Sequence, residues 1–351
     1  MFKIRGMSPH VFAEACLLGR SKLPRPKHVF ISVADHFEPD HGGASPRLQQ
    51  ERVQRWVEHY PALASRCNDS RGRPPQHTFF YPIECYVDKH LEQLSGLVHS
   101  GFGDVEVHLH HDGDNAGSMR DLLIESVSRM HGRHGLLHRD SEGLIRYGFV
   151  HGNWAINNSH PTGHHCGVEN ELAVLRETGC YADFTMPAAP HPAQTKTINK
   201  IYYASTLSND PRAHDQGPDA TTSSSSPDAS LLMIQGPLVV YQNGWFRKPR
   251  VENGNVCLTQ PLSINRLTNW LKSRVAVQGQ PDWQFIKLHT HGCNEANIDY
   301  WLGGQTNEFH QDLREAADEL GFNYYYVTCR EMADLVKQAE SGFDSPDFEV
   351  L

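Results

Sequence analysis

Short β-branched or aromatic runs alternate with stretches whose apolar residues recur at helical spacing along nearly the whole chain, and this alternation predicts an α/β fold with a parallel sheet and crossover helices. The run HVFISVADHF (28–37) reads as a strand, and the segment after it carries apolar or aromatic side chains at 53, 56, 57, 60 and 63, one face of a helix. HTFFYPI (77–83) predicts a second strand, VDKHLEQLSGLVHSG (87–101) a helix stopped by glycine, and VEVHLHH (105–111) a third strand. The series continues with a helix over 118–131, a strand near 146–151, a helix over 168–179 and a strand over 181–186. Further on, 231–246 predicts two strand segments in the manner of a hairpin, 261–278 a helix, 283–292 a strand with histidines at its end, and 309–340 a helix, strand and helix. About seven βα units favour a single barrel over two domains, with a doubly wound sheet as the alternative. Residues 208–230, SNDPRAHDQGPDATTSSSSPDAS, have too few apolar side chains to offset the entropy of ordering and predict a disordered surface insertion. The whole of 1–351 is thus expected to be one domain with its core at about 28–340.

Composition narrows the function classes. No apolar run approaches the roughly 18 residues of a membrane helix. Lys and Arg number 32 against 41 Asp and Glu, a net charge of −9, so no basic field awaits a phosphate backbone and nucleic acid is not an expected partner. The N-terminal apolar stretch is short, broken by Glu14 and without a small-residue cleavage site, which predicts a chain that is not secreted. Eight scattered cysteines with no CxxC pair fit reduced thiols in a cytoplasmic protein. The unusual count is 23 histidines, and imidazole is the commonest metal ligand.

Reacting groups in parallel α/β folds gather at the carboxyl ends of strands, and three predicted strands end in metal-ligand types. One ends in Asp35-His36 with Glu38 behind it, one in His108-Leu109-His110-His111-Asp112, and one in His289-Thr290-His291. Alternation puts His108 and His110 on one face, and the turn beyond is free to aim Asp112 inward. Two imidazoles and a carboxylate form a shell that leaves zinc an open position, and hydrolysis is its natural use. Asp35 and His289 are the candidate base and acid within this group. The histidine-rich SHPTGHH (159–165) falls in a loop and reads as solvated or substrate-side.

The order of these segments resembles the NodB-like polysaccharide deacetylase superfamily over most of residues 28–340. That resemblance implies a distorted (β/α)7 barrel, here with a small β-hairpin insertion, and a divalent metal, zinc first and another transition ion second. VFISVADHF is similar to the family's strand ending in TFDDG, which places Asp35 on the catalytic base and His36 on the metal-ligand position. VEVHLHHD is similar to the strand before the family's H-x-x-x-H pair, with His108 on the first ligand and Asp112 on the second. One Asp has become His and one His has become Asp, so the implied shell of His36, His108 and Asp112 keeps two imidazoles and one carboxylate. FVHGNWAINNSH occupies the slot of the family's RxPxG motif without its Arg, leaving His151, Asn153, Trp154 and Asn157 as candidates for positioning a sugar. IKLHTHG is similar to the strand carrying the general acid, placing His289, or else His291, in that role; Glu38, His110 and His111 are further candidates. The implied activity is removal of an acyl group, N-acetyl above all, from a glycan or glycan precursor by cleavage of a C–N or ester bond. Two alternatives stand beside it: a glycoside hydrolase using Asp35 and Glu38 as a carboxylate pair, and a barrel without turnover that binds carbohydrate or regulates polysaccharide assembly.

Overall fold

The computed structural model describes residues 3–222, 226–242 and 248–351. Helix α1 (Pro9–Arg20), absent from the predicted pattern, precedes the expected alternation of β1 (His28–His36), α2 (Pro46–Ala64), β2 (His77–Pro82), α3 (Asp88–His99) and β3 (Gly103–Leu109). It continues through α4 (Ala116–His134), the two-residue β4 (His138–Arg139), β5 (Ile145–His151), α5 (Glu171–Glu177) and β6 (Cys180–Asp183). β7 (Ile201–Ser205), β8 (Ser230–Ile234), β9 (Val239–Tyr241) and β10 (Arg250–Glu252) follow, then α6 (Ile264–Ser273), β11 (Trp283–Thr290), α7 (Glu295–Leu302), α8 (Thr306–Leu320), β12 (Asn323–Tyr326) and α9 (Cys329–Glu340). Local chemistry sets several boundaries. Ser45 accepts a hydrogen bond from the Leu48 amide ahead of Pro46 at the start of α2, Thr328 and Glu331 form a reciprocal capping box on α9, and Gly135 closes α4 in the left-handed conformation.

The sheet is large and mixed, in the order β11-β1-β2-β3-β5-β6-β8-β7, with β12 beside the first half of β1 and β4 beside β5. Every pairing from β11 through β8 is parallel, and β7 runs antiparallel to β8. Among the described residues the ladder is open, with β7 and β11 as its two edges. Beyond β8 the Gly236 amide donates to Met186 O, and beside β11 the His289 amide donates to Gly254 O and the Val256 amide to His289 O. The expected hairpin forms between β9 and β10 rather than within 231–246, where β8 pairs with β7 instead; residues 243–247 of that stretch lie outside the described residues.

The 208–230 stretch differs from the expected disordered loop wherever it is described. His214 and Ala220 are fully buried, and Arg212 ties the turn down by pairing with Asp215 and donating to Ser159 O and Gln194 O. A polar segment can be ordered by such bonds without an apolar stripe. Residues 223–225 lie outside the described residues.

Strand alternation divides the sheet into two faces. Val29, Ile31 and Val33 of β1, Phe79 and Tyr81 of β2, Val105 and Val107 of β3, and Tyr147 and Phe149 of β5 pack with residues of α2, α3, α4 and α5. Phe30, Ala34, Phe80, Val150 and Phe285 point to the other side and pack with Met332, Leu335 and Val336 of α9. This division decides which strand-end side chains can meet.

Candidate metal centre

His36 and His108 close the α9-facing rows of β1 and β3, and their rings converge over the end of β2 with centroids 4.8 Å apart. Glu38 joins them through a tight turn in which its own amide donates to His36 O at 3.1 Å, folding the carboxylate back beside the strand end. Glu38 Oε1 lies 3.2 Å from His108 Nε2, and the donor atoms of His36, Glu38 and His108 all lie within 4.8 Å of one another. All three side chains are buried. His108 Nδ1 donates to Val150 O at 2.9 Å, which orients the ring and turns Nε2 toward Glu38 and the cluster. His36 Nδ1 has no hydrogen-bond partner at all. Two imidazoles and one carboxylate, with an unpartnered nitrogen among them, fit a divalent ion with an open coordination position.

Electrostatics favour a neutral His36 and an ionised Glu38, as ligation requires. Burial, followed by the neighbouring His291 and His108, holds His36 well below the usual imidazole range. Burial opposes charge on Glu38, but hydrogen bonds from His108 and His110 outweigh it and keep the carboxyl well below the usual range. His110 bridges Glu38 at 3.4 Å and Glu84 at 2.6 Å; burial opposes its charge, yet the two carboxylates push it up to about 10. The carboxylate is therefore braced from outside by a cation.

The last residues of β11 and the loop after β5 complete the rim. His291 stacks on His36 with centroids 4.7 Å apart, and His289 lies deeper, at 6.3 Å, with Nδ1 unpartnered. Trp154, half-buried, sits 5.8 Å from His36, 6.0 Å from His291 and 5.3 Å from His191. Its φ of 54° is left-handed, which a bulky side chain adopts only where its surroundings impose it. Here the Gly152 amide donates to Leu109 O and the Trp154 amide to His151 O.

Of the residues expected from sequence, His36, His108, Glu38, His110, His289, His291 and Trp154 come together here. Asp112 does not: beyond β3 the chain turns outward, the side chain is 53% exposed, and it accepts from the His165 amide at 2.7 Å. Glu38 stands in the place expected for it. Asp35 also faces away. It neighbours His36 on a strand and so points to the helix-covered side, where Oδ2 meets His77 Nε2 at 2.8 Å and Oδ1 accepts from the Gly292 amide at 2.6 Å. Asn157 is buried, its side chain bonded to Asp210 O and the Leu172 amide, and the Asn153 amide donates to His151 Nδ1. His151 and His111 meet each other, Nε2 to Nε2 at 3.1 Å, beside Glu171 and Cys166. Sequence reasoning missed Glu84, His77, Cys166, Glu171 and His191. Glu171 opens an amphipathic helix and Cys166 follows a polar loop, so neither carries a local signal.

No protein-family model matches the chain, and no curated protein matches its sequence. The clustered His, Glu and Cys side chains are capable of chelating a metal ion, as in a metal-dependent enzyme.

Proposed function

We propose that the protein is a metal-dependent hydrolase of the polysaccharide deacetylase type, removing an acyl group, N-acetyl in the first place, from a glycan or glycan precursor. In this reading the sheet is a distorted (β/α)7 barrel left open between β7 and β11. The observation that carries the proposal is the convergence of His36, Glu38 and His108 at the carboxyl ends of neighbouring strands, with the His108 ring oriented by its Nδ1 bond to Val150 O. A divalent ion bound there, zinc or another transition ion, supplies the Lewis acidity that amide or ester hydrolysis at neutral pH calls for.

The chain's own groups suit the remaining tasks. The Trp154 indole offers an apolar face to a sugar ring at the edge of the cluster. His291, less buried than His289 and stacked on His36, is the imidazole placed to move a proton between water and the leaving group, with His289 behind it. Asp35, with both oxygens engaged by His77 and Gly292, is a positioning residue that holds the chain next to His291. Asp35 and Glu38, the carboxylate pair a glycosidase would use, have different hydrogen-bond partners, Asp35 with His77 and the Gly292 amide and Glu38 with His108.

The test is acetate release from an N-acetylated amino-sugar oligomer by protein loaded with zinc, cobalt or manganese. Ion-dependent release that disappears in His108→Ala is the expected result; equal release by His108→Ala overturns the reading. Asp35→Asn separates positioning from base chemistry. The carboxamide oxygen of that variant still accepts from the Gly292 amide, so the ion is expected to stay and kcat to fall about tenfold; a fall nearer the 10²–10⁴-fold of a lost general base would return Asp35 to that role.

A further inference from the structure

On the helix-covered side of the sheet a second group of donors meets: His111 beyond β3, His151 at the end of β5, Cys166 in the following loop and Glu171 at the start of α5. His111 Nε2 lies 3.1 Å from His151 Nε2 and 3.3 Å from Glu171 Oε1, and His151 Nε2 lies 3.8 Å from Glu171 Oε1. Cys166 Sγ lies 3.4 Å from Glu171 Oε2. Four ligands at the roughly 2.0–2.3 Å bond lengths of a tetrahedral ion are themselves separated by about 3.3–3.8 Å, and one donor atom from each of these four residues lies within 4.8 Å of the others.

Their outer partners fit the same use. His111 Nδ1 faces Asp114 Oδ2 at 3.2 Å, which orients the ring and presents Nε2. The amides of Asn158 and Val168 both donate to Cys166 Sγ, at 3.3 and 3.4 Å, and favour the thiolate, but burial and the Glu171 charge outweigh them and push the thiol well above its usual range, so an ion bound here displaces the thiol proton. Glu171 is fully buried, and its Oε1 has no well-formed hydrogen bond, only the His111 and His151 rings at 3.3 and 3.8 Å. His151 is the weakest of the four donors. Its Nδ1 accepts from the Asn153 amide, and ligation through Nε2 requires the ring proton to move to Nδ1 and that contact to open.

We propose that His111, Cys166 and Glu171, completed by His151, form a second metal site for a borderline transition ion such as Zn²⁺, separate from the His36 cluster. Thiolate, imidazole and carboxylate together select against Mg²⁺ and Ca²⁺. With four protein ligands the site is closed and structural. It clamps the loop that carries Trp154. That loop holds Trp154, Asn157, Asn158 and His165 at left-handed φ of 54°, 53°, 51° and 71°, conformations that persist only when fixed from outside. This site is independent of the hydrolase reading, and a failure to release acetate leaves it standing.

Cobalt substitution tests it. Apoprotein titrated with Co²⁺ is expected to bind two ions per chain, one of them giving the near-ultraviolet charge-transfer band of a cobalt–thiolate bond. Cys166→Ser loses that band and one ion; His36→Ala keeps the band and loses the other ion. Glu171→Gln, whose shape is conserved, weakens the thiolate-bound ion and speeds proteolysis within 159–165. A wild-type protein without the band, a band retained in Cys166→Ser, or a band lost in His36→Ala each overturns the proposal.

Discussion

Glu38→Gln is expected to release the ion held by His36 and His108 and to lower acyl release about a thousandfold, whereas Asp112→Ala leaves both unchanged. The glutamine keeps the shape of the side chain and an oxygen that accepts from His108 and His110, so the fold has no reason to change. What is lost is the negative charge, and with it the only carboxylate among the three donor residues that converge at this strand end. A thousandfold corresponds to about 4 kcal/mol, within the several kcal/mol of charge stabilisation an ion contributes to amide hydrolysis. Asp112 is the carboxylate the motif order favours, yet its half-exposed side chain serves the His165 amide at the rim. Metal content and turnover of the two variants, measured side by side, decide between them. If Asp112→Ala loses the ion and Glu38→Gln keeps it, the loop after β3 must close inward when an ion binds and the donor set assigned here is wrong.

The elements were largely legible in the chain because their signals are local. The β-branched run at 28–37, the helical stripe at 53–63 and the glycine after 87–100 each report a few neighbouring residues, and β1, α2 and α3 lie where those signals put them. His36 and His108 were legible for the same reason, since a strand end is a local feature. Choosing Glu38 over Asp112 depended on a turn after β1 and on the exit path of the chain after β3, neither of which hydropathy encodes. The opposite orientation of Asp35 was readable, because adjacent strand residues face opposite sides; the motif match hid it. Cys166 and Glu171 reach His111 from more than fifty residues away, through a loop without periodicity, and only the folded chain brings them together. Polar composition misled at 208–222, where order comes from Arg212 and its partners rather than from burial of an apolar stripe.

Asp183→Asn is expected to remove a pH dependence of stability between about pH 4 and pH 7. Asp183 ends β6 fully buried. Burial pushes its carboxyl up to about 7 despite hydrogen bonds from the Thr185 amide and hydroxyl and the nearby charge of Lys287. An unfolded aspartate titrates near 3.9, so between these values the folded chain holds a proton the unfolded chain has lost. Stability is then fully present below about pH 4 and falls as pH rises toward 7, by on the order of 4 kcal/mol. Lys287 acts in a different window. Burial pushes it down to about 8, and its contribution changes only between there and its unfolded value near 10.4. The carboxamide oxygen of the variant still accepts from the Thr185 amide, and any cost of turning the Thr185 hydroxyl is independent of pH. The signal is therefore the slope rather than the offset: the midpoint of thermal unfolding of the variant should gain on wild type steadily from pH 4.5 to pH 7. A difference that stays constant across that range would mean that Asp183 is ionised in the folded protein, with Lys287 outweighing its burial.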